Sequence, residues 1–568
     1  MLHSQKNQPH PDRLAGTDIE AEKNWRQRLF RLGAGRGPTL LLALLFATVY
    51  NFPFWRKLLR LPDISLSANA GFLAATLVIL VGVFFFFLTL TAYPYLQKSL
   101  AVILLLLMGP ILYFSSHYGV IIDHNMISNL LETDTREAAE LLSPAFLGHL
   151  LLLVILPAAL LIRRRQTWAP TLRQTGANLL CALLTLMVIG GTLFAAYDDF
   201  ALIGRSHRFL RLFLNPSYAL YSVEKYYRVN HLVKRPPQPL AEDARISPAS
   251  GRRKKLLGVF VVGESARAAN FSLNGYQRET NPRLKQENII SFTQAYACGT
   301  STAEALPGMF SHLPRKDYSV KKAAAYENVL DILQRLGVAV LWRDNNSSAK
   351  GVAERIFYEK LSLRDLPKAR AASLSQRGEI FDEALLLNLD EFLAAHADRD
   401  LLIVLHQKGS HGPAYHKRRP PAFARFQPEY QGEDVHNASR EELINAYDNT
   451  ILYTDFFLAR LLDWLKNNSA ERNSFMIYMS DHGESLGENG IYLHSLPWFM
   501  APDEQIHIGA IAWFSPGFGE DRGFDPAALR ARRDQAVSHD FIFHTLLGLY
   551  KVESKIYNPE LDLLKLAE

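Results

Sequence analysis

Two short stretches, far apart in the sequence, each place ionisable side chains directly after an apolar run. Val261-Val262-Gly263-Glu264-Ser265 closes the run Leu256–Val262, and Tyr478-Met479-Ser480-Asp481-His482-Gly483-Glu484 closes Phe475–Met479. An α/β enzyme presents ligands in this way, at the carboxyl ends of buried strands. Glu264, Asp481 and His482 offer two carboxylates and an imidazole, which suit Zn²⁺ with a fourth position left for a reacting group. Neighbours on a strand point to opposite faces, so Asp481 and His482 reach one ion only where the chain leaves the strand, a bend that Gly483 helps supply. Between the two stretches, Cys298-Gly299-Thr300-Ser301-Thr302 sets three hydroxyls before a helix expected from Ala303. The fourth position falls to Thr300, Ser301 or Thr302. Such a hydroxyl is a weak nucleophile at neutral pH until a nearby cation favours its ionised form. A metal beside a hydroxyl nucleophile points to phosphoryl or sulfuryl transfer, and a helix amino terminus there favours an anionic phosphoryl group. His411, in Gly409-Ser410-His411-Gly412-Pro413, and His494 are placed to bind a second metal or the substrate phosphate. Asn346 and Lys350 follow the apolar Val338–Trp342 and offer amide and ammonium donors to a phosphate. His312 and His406 read as solvated loop histidines.

These residues need a rigid frame. From Leu256 onward the pattern is strand, loop, helix, repeated. Strands are expected at Leu256–Val262, Val338–Trp342, Leu401–Leu405, Phe475–Met479 and Ile508–Phe514, and helices at Ala324–Leu336, Gly378–Ala395, Arg440–Asn467 and Asp540–Leu549. Such alternation predicts a largely parallel sheet covered on both faces.

The first 200 or so of the 568 residues are of another kind, crowded with Leu, Val, Ala and Phe. Five runs approach the roughly 20 apolar residues a membrane-spanning helix needs: Thr39–Trp55, Ala68–Ala92, Leu100–Ile122, Ala145–Ile162 and Ala177–Ala196. The first is short and carries Asn51 and Pro53. Arg26, Arg28, Arg31 and Arg36 before it, and the arginine-rich loop Arg163–Arg173, mark the cytoplasmic side. The loop Asp123–Ser143 holds Asp123, Glu132, Asp134, Glu137 and Glu140 against Arg136 alone, which fits the outer side. Arg56, Lys57 and Arg60 disagree, but the rule is a bias and five crossings leave the carboxyl-terminal domain outside. Residues 1–36 are then a cytoplasmic segment, 37–200 the membrane domain, 201–255 a connector and 256–568 the catalytic domain. Arg205–Val233 within the connector is amphipathic, suited to the membrane surface or to packing on the domain. Pro236-Pro237-Gln238-Pro239 reads as an extended linker, and the polar tract to Lys255 as flexible. The net charge of +6 is scattered, with no basic stripe interleaved with aromatics, which excludes nucleic acid as a partner. Two cysteines, Cys181 and Cys298, exclude a Cys-x-x-Cys metal site and argue against a disulfide.

The motifs taken together resemble one family, the inner-membrane phosphoethanolamine transferases of Gram-negative bacteria, above all those that modify lipid A, including the plasmid-borne colistin-resistance enzymes. The resemblance is carried by Gly263-Glu264-Ser265-Ala266-Arg267-Ala268, Asn274-Gly275-Tyr276, Cys298-Gly299-Thr300-Ser301-Thr302-Ala303, Trp342-Arg343-Asp344-Asn345-Asn346, Gly409-Ser410-His411-Gly412-Pro413, Tyr447-Asp448-Asn449-Thr450 and Ser480–Gly490. The outer loop Asn125-Met126-Ile127-Ser128-Asn129, followed by Glu132-Thr133-Asp134, is similar to the family as well. The resemblance implies a five-helix transmembrane bundle joined to a periplasmic α/β domain of the alkaline phosphatase and sulfatase type. It implies Thr302 as nucleophile, and Zn²⁺ on Glu264, Thr302, Asp481 and His482. His411 and His494 match positions for a second zinc or the substrate phosphate, and Asn346 and Lys350 match positions that contact phosphoethanolamine. The implied reaction moves phosphoethanolamine from phosphatidylethanolamine to a lipid A phosphate by way of a threonine intermediate; a monomer is expected, though no residue pattern in the sequence sets the oligomeric state. The added ammonium lowers surface negative charge and hence polymyxin binding. A core-oligosaccharide sugar or periplasmic glucan is the alternative acceptor, and a membrane-anchored sulfatase or phosphodiesterase the alternative class. Two departures stand out. Cys298 lacks its usual cysteine partner, Gly308 standing in that place, and Ile508-Gly509 replaces the family's Val-Pro.

Overall fold

The computed structural model describes residues 36–132, 141–164, 166, 168, 170–231, 236–247, 254–376, 378–432 and 434–567. Arg26, Arg28 and Arg31, most of the amino-terminal segment, Arg165, and Thr133, Asp134, Arg136, Glu137 and Glu140 of the outer loop lie outside these. The chain divides into two compact units, one of residues 1–116 and 146–218 and one of 117–145 and 219–568.

The first unit is helical. Its helices are α1 (Arg36–Thr48), α2 (Phe52–Leu58), α3 (Ala70–Leu90), α4 (Leu96–His117), α5 (Pro144–Arg163) and α6 (Thr171–Ala195). Four of them are long and apolar enough to cross a membrane, and α1 with α2, bent by 53° at the break between them, makes a fifth if the pair is counted as one span. The expected run Thr39–Trp55 is therefore a broken helix, interrupted at Asn51 and Pro53. A break inside a membrane frees backbone groups that must find partners, and here two asparagines supply them. Asn51 Nδ2 donates to the carbonyls of Phe46 (2.9 Å) and Asn215 (2.8 Å), and the Asn215 amide donates to those of Tyr50 and Met108. Pro157 within α5 likewise lacks the N–H that would reach Leu153 O, a π-helical turn spans Leu151–Ile155, and the Tyr50 hydroxyl donates to that carbonyl instead. The dissenting cations have work inside the unit: Lys57 lies 5.4 Å over the Phe213 ring, and Arg56 donates to Ser116 O. At the other end Lys98 Nζ donates to the carbonyls of Ile162 and Arg164, and Arg36 to that of Ala177. The expected stretch Arg205–Val233 is not one helix. It is split into Tyr197–Ser206, a 3-10 turn Arg208–Phe213 and Ser217–His231, the last break falling at Pro216, which cannot continue a helix.

The second unit is built on a seven-stranded sheet. Its strands are β1 (Lys255–Gly263), β2 (Ile290–Phe292), β3 (Ala339–Asp344), β4 (Phe357–Lys360), β5 (Leu401–His406), β6 (Arg472–Ser480) and β7 (Ala510–Phe514), in the order β2-β7-β6-β1-β5-β3-β4. The run from β6 to β4 is parallel and β7 is antiparallel to both its neighbours, so the sheet is mixed, with a mostly parallel centre. β1, β5 and β6 are buried on both faces, as central strands under helices must be. The helices used below are α7 (Thr302–Met309), α8 (Val329–Arg335), α9 (Arg440–Asn468) and α10 (Asp540–Leu549).

All five expected strands are present within a few residues. β2 and β4 gave no signal: the first is three residues long and the second a largely exposed edge. Ala324–Leu336 starts later than expected, because Asn328 caps α8 in a capping box with Asp331. Gly378–Ala395 is not a helix throughout. It holds a short strand Glu379–Ile380, a 3-10 turn Asp382–Leu386 and, after left-handed Asn388 (φ 54°), the helix Leu389–Ala395. The turn directs Asp382 onto the backbone N–H groups of Lys408 (2.8 Å) and Gly409 (3.0 Å). The expected linker is also held: Gln238 N donates to Ala325 O, and Arg245–Ile246 pairs antiparallel with Val552–Glu553.

Candidate active site

The register of the sheet brings the two ligand-bearing stretches together. β1 and β6 are parallel neighbours with Gly263 opposite Ser480, so Glu264 and Asp481 leave the sheet side by side. Asp481 N donates to Gly263 O (2.9 Å), and Ser265 N, in left-handed backbone (φ 56°), donates to Asp481 Oδ1 (3.2 Å). On the other side β5 leads into Gly409, whose Cα lies so close to the Glu264 backbone that a side chain could not fit and whose φ is +52°. There glycine is required on both counts.

Glu264, Asp481 and His482 are fully buried, and their ligand atoms lie within 4.8 Å of one another. His482 Nε2 is 3.4 Å from Glu264 Oε1 and 3.4 Å from Asp481 Oδ2. Thr302, the first residue of α7, donates its hydroxyl to Glu264 Oε2 (3.0 Å), with His482 Nε2 3.4 Å away. Of the three hydroxyls left open by the sequence, Thr302 is the one at the cluster; Thr300 donates instead to Leu496 O. Burial works against ionisation of Glu264, yet the imidazoles of His482, His411 and His494 hold its carboxyl well below the usual range. Burial and the Glu264 charge push Asp481 up to about 6. Among the described residues, no hydrogen-bond donor meets the buried Asp481 Oδ2. Two desolvated carboxylates that share one imidazole are costly unless a cation joins them. The donor set and the orphaned oxygen thus fit a divalent metal of the N/O-preferring kind, Zn²⁺ among them.

Around this centre lies a cavity of about 120 Å³ lined by Thr302, Asn346, Lys350, His411 and His494, and by Val120, Met126, Asn129 and Leu141 of the 117–145 segment. All the expected site residues are thereby brought together. Asn346 reaches the centre through Glu264: its amide donates to Glu264 Oε2 (2.7 Å) and to Gln407 O (2.9 Å). His411 and His494 stand with ring centroids 5.7 Å apart. Part of the outer loop forms the helix His124–Glu132, and Asn129 Nδ2 donates to Ser495 Oγ (3.5 Å).

Four supporting residues carried no assigned role in the sequence. Glu484 is buried, accepts from Tyr415 OH (2.7 Å) and lies 2.7 Å from His494 Nδ1, which fixes that ring. Among the described residues, Glu484, His482 and His494 form a second group able to hold a metal. The Ser265 hydroxyl donates to Glu264 Oε1 (2.6 Å), and Asp382 holds the turn that leads to His411. His539, just before α10, is the fourth. Its Nδ1 accepts from Cys298 N (3.2 Å) and its Nε2 donates to Ser480 O (2.9 Å), tying the loop that leads to Thr302 to the end of β6. Burial lowers its pKa to about 4, in keeping with a neutral ring. Glu484 could have been suspected from its place in Asp481-His482-Gly483-Glu484. For His539 and Asp382 no local pattern exists.

His406 is a correction. It is not solvated but fully buried at the end of β5, with Nδ1 3.2 Å from Asp344 Oδ2. Burial opposes its charge, but Asp344, together with the carboxylates of Glu264 and Asp481, more than offsets this and raises its pKa. His312 is partly buried, edge-on to Tyr326.

Comparison with known proteins agrees over nearly the whole chain. A family model described as Sulfatase matches residues 257–552, and one described as Phosphoethanolamine transferase EptA/EptB matches residues 80–230. Phosphatidylethanolamine transferase Mcr-2 of Escherichia coli is 37% identical over 520 residues, 90% of this chain and 94% of that protein. Phosphoethanolamine transferase EptA of Escherichia coli strain K12 is 35% identical over 534 residues, 93% of this chain and 96% of that protein. Among solved structures, the integral membrane protein lipooligosaccharide phosphoethanolamine transferase A (EptA) from Neisseria meningitidis is similar with a TM-score of 0.85 and 33% identity, over 93% of this chain and 98% of that one.

Proposed function

The chain belongs to the EptA/EptB phosphoethanolamine transferase family, as a multi-pass membrane protein with a sulfatase domain, and we propose that it transfers phosphoethanolamine from phosphatidylethanolamine to a phosphate of lipid A. The observation that carries the reading is the Thr302 hydroxyl, 3.0 Å from Glu264 within the buried cluster of Glu264, Asp481 and His482. Relatives named as phosphoethanolamine and phosphatidylethanolamine transferases support the transferred group and the donor.

In this reading Glu264, Thr302, Asp481 and His482 would hold Zn²⁺. Bound there, the ion would supply Lewis-acid stabilisation of the negative charge that develops on the Thr302 oxygen. The protein does the rest. Glu264, braced by Ser265 and Asn346, orients the Thr302 hydroxyl. Thr302 Oγ1 attacks phosphorus, the bond to the diacylglycerol oxygen breaks, and diacylglycerol leaves with a proton. The phosphoethanolamine–threonine so formed is attacked in turn by an oxygen of the acceptor phosphate, which frees Thr302. His494, its Nδ1 held by Glu484, keeps Nε2 for the phosphoryl oxygens or for the proton of the leaving group, and His411 faces the same group. Lys350 and Asn346 line the cavity where the phosphoethanolamine group would rest. A second zinc on His494 and its neighbours is compatible with the group His482, Glu484 and His494.

We assign residues 1–36 to the cytoplasm, 37–200 to the inner membrane, and both the connector 201–255 and the catalytic domain 256–568 to the periplasm. Five crossings from an inside start, counting the bent pair α1 and α2 as one, with the arginine-rich Arg163–Arg173 loop on the cytoplasmic side, support this orientation. Modification of lipid A would lower outer-surface charge and give resistance to polymyxin. The test is mass spectrometry of lipid A from a sensitive host: a phosphoethanolamine increment is expected with the protein and not with Thr302→Ala.

A further inference from the structure

A second, larger cavity of about 520 Å³ lies beside the active site and shares Asn346 with it. Lys360, Arg364 and Lys408 line it, with Asn345 and Ser362 between them. Among the described residues its one lining carboxylate, Glu379, is taken by Arg418 at 3.3 Å. The cavity is therefore cationic. Lys360 Nζ also donates to Ser347 O (2.9 Å), so the loop that carries Asn346 and Lys350 forms the wall between the two cavities. Lys408 is only 7% exposed, held at the end of β5 by the bond from its backbone N–H to Asp382.

We propose that this cavity is the subsite for a second anionic group of the acceptor saccharide, a phosphate or sugar carboxylate distinct from the phosphate that reacts. The inference rests on the transferase reading above. The donor is a poor candidate for the cavity. Its single phosphate belongs at Thr302, and its ammonium is repelled by three cations. A lipid A type acceptor carries more than one anionic group on one rigid saccharide. Seating one of them here would fix the sugar while another approaches Thr302, which is positioning by binding energy remote from the reacting centre.

The test uses the full-length enzyme in detergent with phosphatidylethanolamine and three acceptors: bisphosphorylated lipid A, monophosphorylated lipid A, and a monophosphorylated lipid A that carries acidic sugars. Lys360→Gln/Arg364→Gln changes exposed residues and leaves folding intact; Lys408→Gln is the second variant. Diacylglycerol release without acceptor is expected to stay within about twofold of the unsubstituted enzyme, since no donor contact is lost. KM for bisphosphorylated lipid A is expected to rise roughly tenfold with kcat little changed. A rise confined to the bisphosphorylated acceptor assigns the anion to the second phosphate. A rise that extends to the acidic-sugar acceptor assigns it to a carboxylate as well. The proposal is overturned if KM is unchanged for both of these acceptors, or if it rises equally for the plain monophosphorylated one. Absence of diacylglycerol release by the unsubstituted enzyme would overturn the transferase reading and the subsite with it.

Discussion

Thr302 and Glu264 belong to different parts of the sequence, and neither is a strong reagent alone. The chemistry comes from burial: the hydroxyl meets a carboxylate that three imidazoles keep ionised. Thr302→Ala removes one oxygen and a methyl at a site already packed, so we expect normal expression and melting but a loss of transfer of about a thousandfold or more. Quantifying phosphoethanolamine on lipid A alongside a thermal melt checks both halves; retained transfer would remove Thr302 from its role. His539 gives a second expectation. Its folded pKa of about 4 lies below the usual 6.5, so the unfolded chain binds the proton first on acidification. Its contribution is present above pH 6.5 and lost as pH falls toward 4, on the order of 3 kcal/mol at full protonation. His539→Gln should flatten that acid limb by about one proton in a pH series of melts; an unchanged limb would contradict a neutral, bridging His539. At this scale Glu264, Asp481 and His482 were legible because each pair or residue follows an apolar run, whereas Thr302 was one of three hydroxyls until the family resemblance singled it out. His539 was not, because its partners Cys298 and Ser480 lie 241 and 59 positions away. His406 was misread because a histidine at a strand end looks like a loop residue until Asp344 on the next strand is seen.

The element that matters most is the loop and helix from Cys298 to Met309, which carries Thr302, the proposed nucleophile. Cys298 is free and 2% exposed, with its thiol 3.5 Å from Ala305 O. Burial pushes its pKa well up, so the thiol is inert. Alkylation of the native protein should leave Cys298 unmodified and that of the unfolded protein should label it; labelling of the native protein would mean that the loop opens. A Cβ built on Gly308 falls against Cys298 Sγ. Gly308→Cys is therefore expected to form a disulfide after a small shift, closing a short loop with a gain of about 2–3 kcal/mol. An intact mass two units below the dithiol value and a raised melting temperature would report it; a free pair of thiols would contradict the geometry. Gly509 has an equally local reason. The Phe271 ring lies over its Cα, and its N–H donates to Ala266 O (2.8 Å), a bond proline cannot make. Strands and long helices were legible from apolar runs and caps. The stretch Gly378–Ala395 was not, since helix-favouring residues there yield to Asp382, which is turned onto the loop before His411.

At the scale of the molecule two solvents shape two units. The membrane unit was readable from length and hydropathy alone, apart from the break at Asn51 and Pro53, whose cost is hidden by Asn215 some 164 residues away. The catalytic unit depends on what fills its centre. In the proposed reading, a metal between the two desolvated carboxylates around His482 would be part of its stability as well as of its chemistry. Chelation is expected to lower the melting temperature by at least about 5 °C and Zn²⁺ to restore it; no change on thorough chelation would argue against a resident ion.

The central claim is the route of the phosphoethanolamine group through Thr302. The most direct test is intact-protein and peptide mass spectrometry of the enzyme turned over on phosphatidylethanolamine without acceptor. The account predicts one added phosphoethanolamine, located on Thr302, that disappears when lipid A is supplied and appears on lipid A. An adduct on another residue, or lipid A modified at full rate by Thr302→Ala, would contradict it.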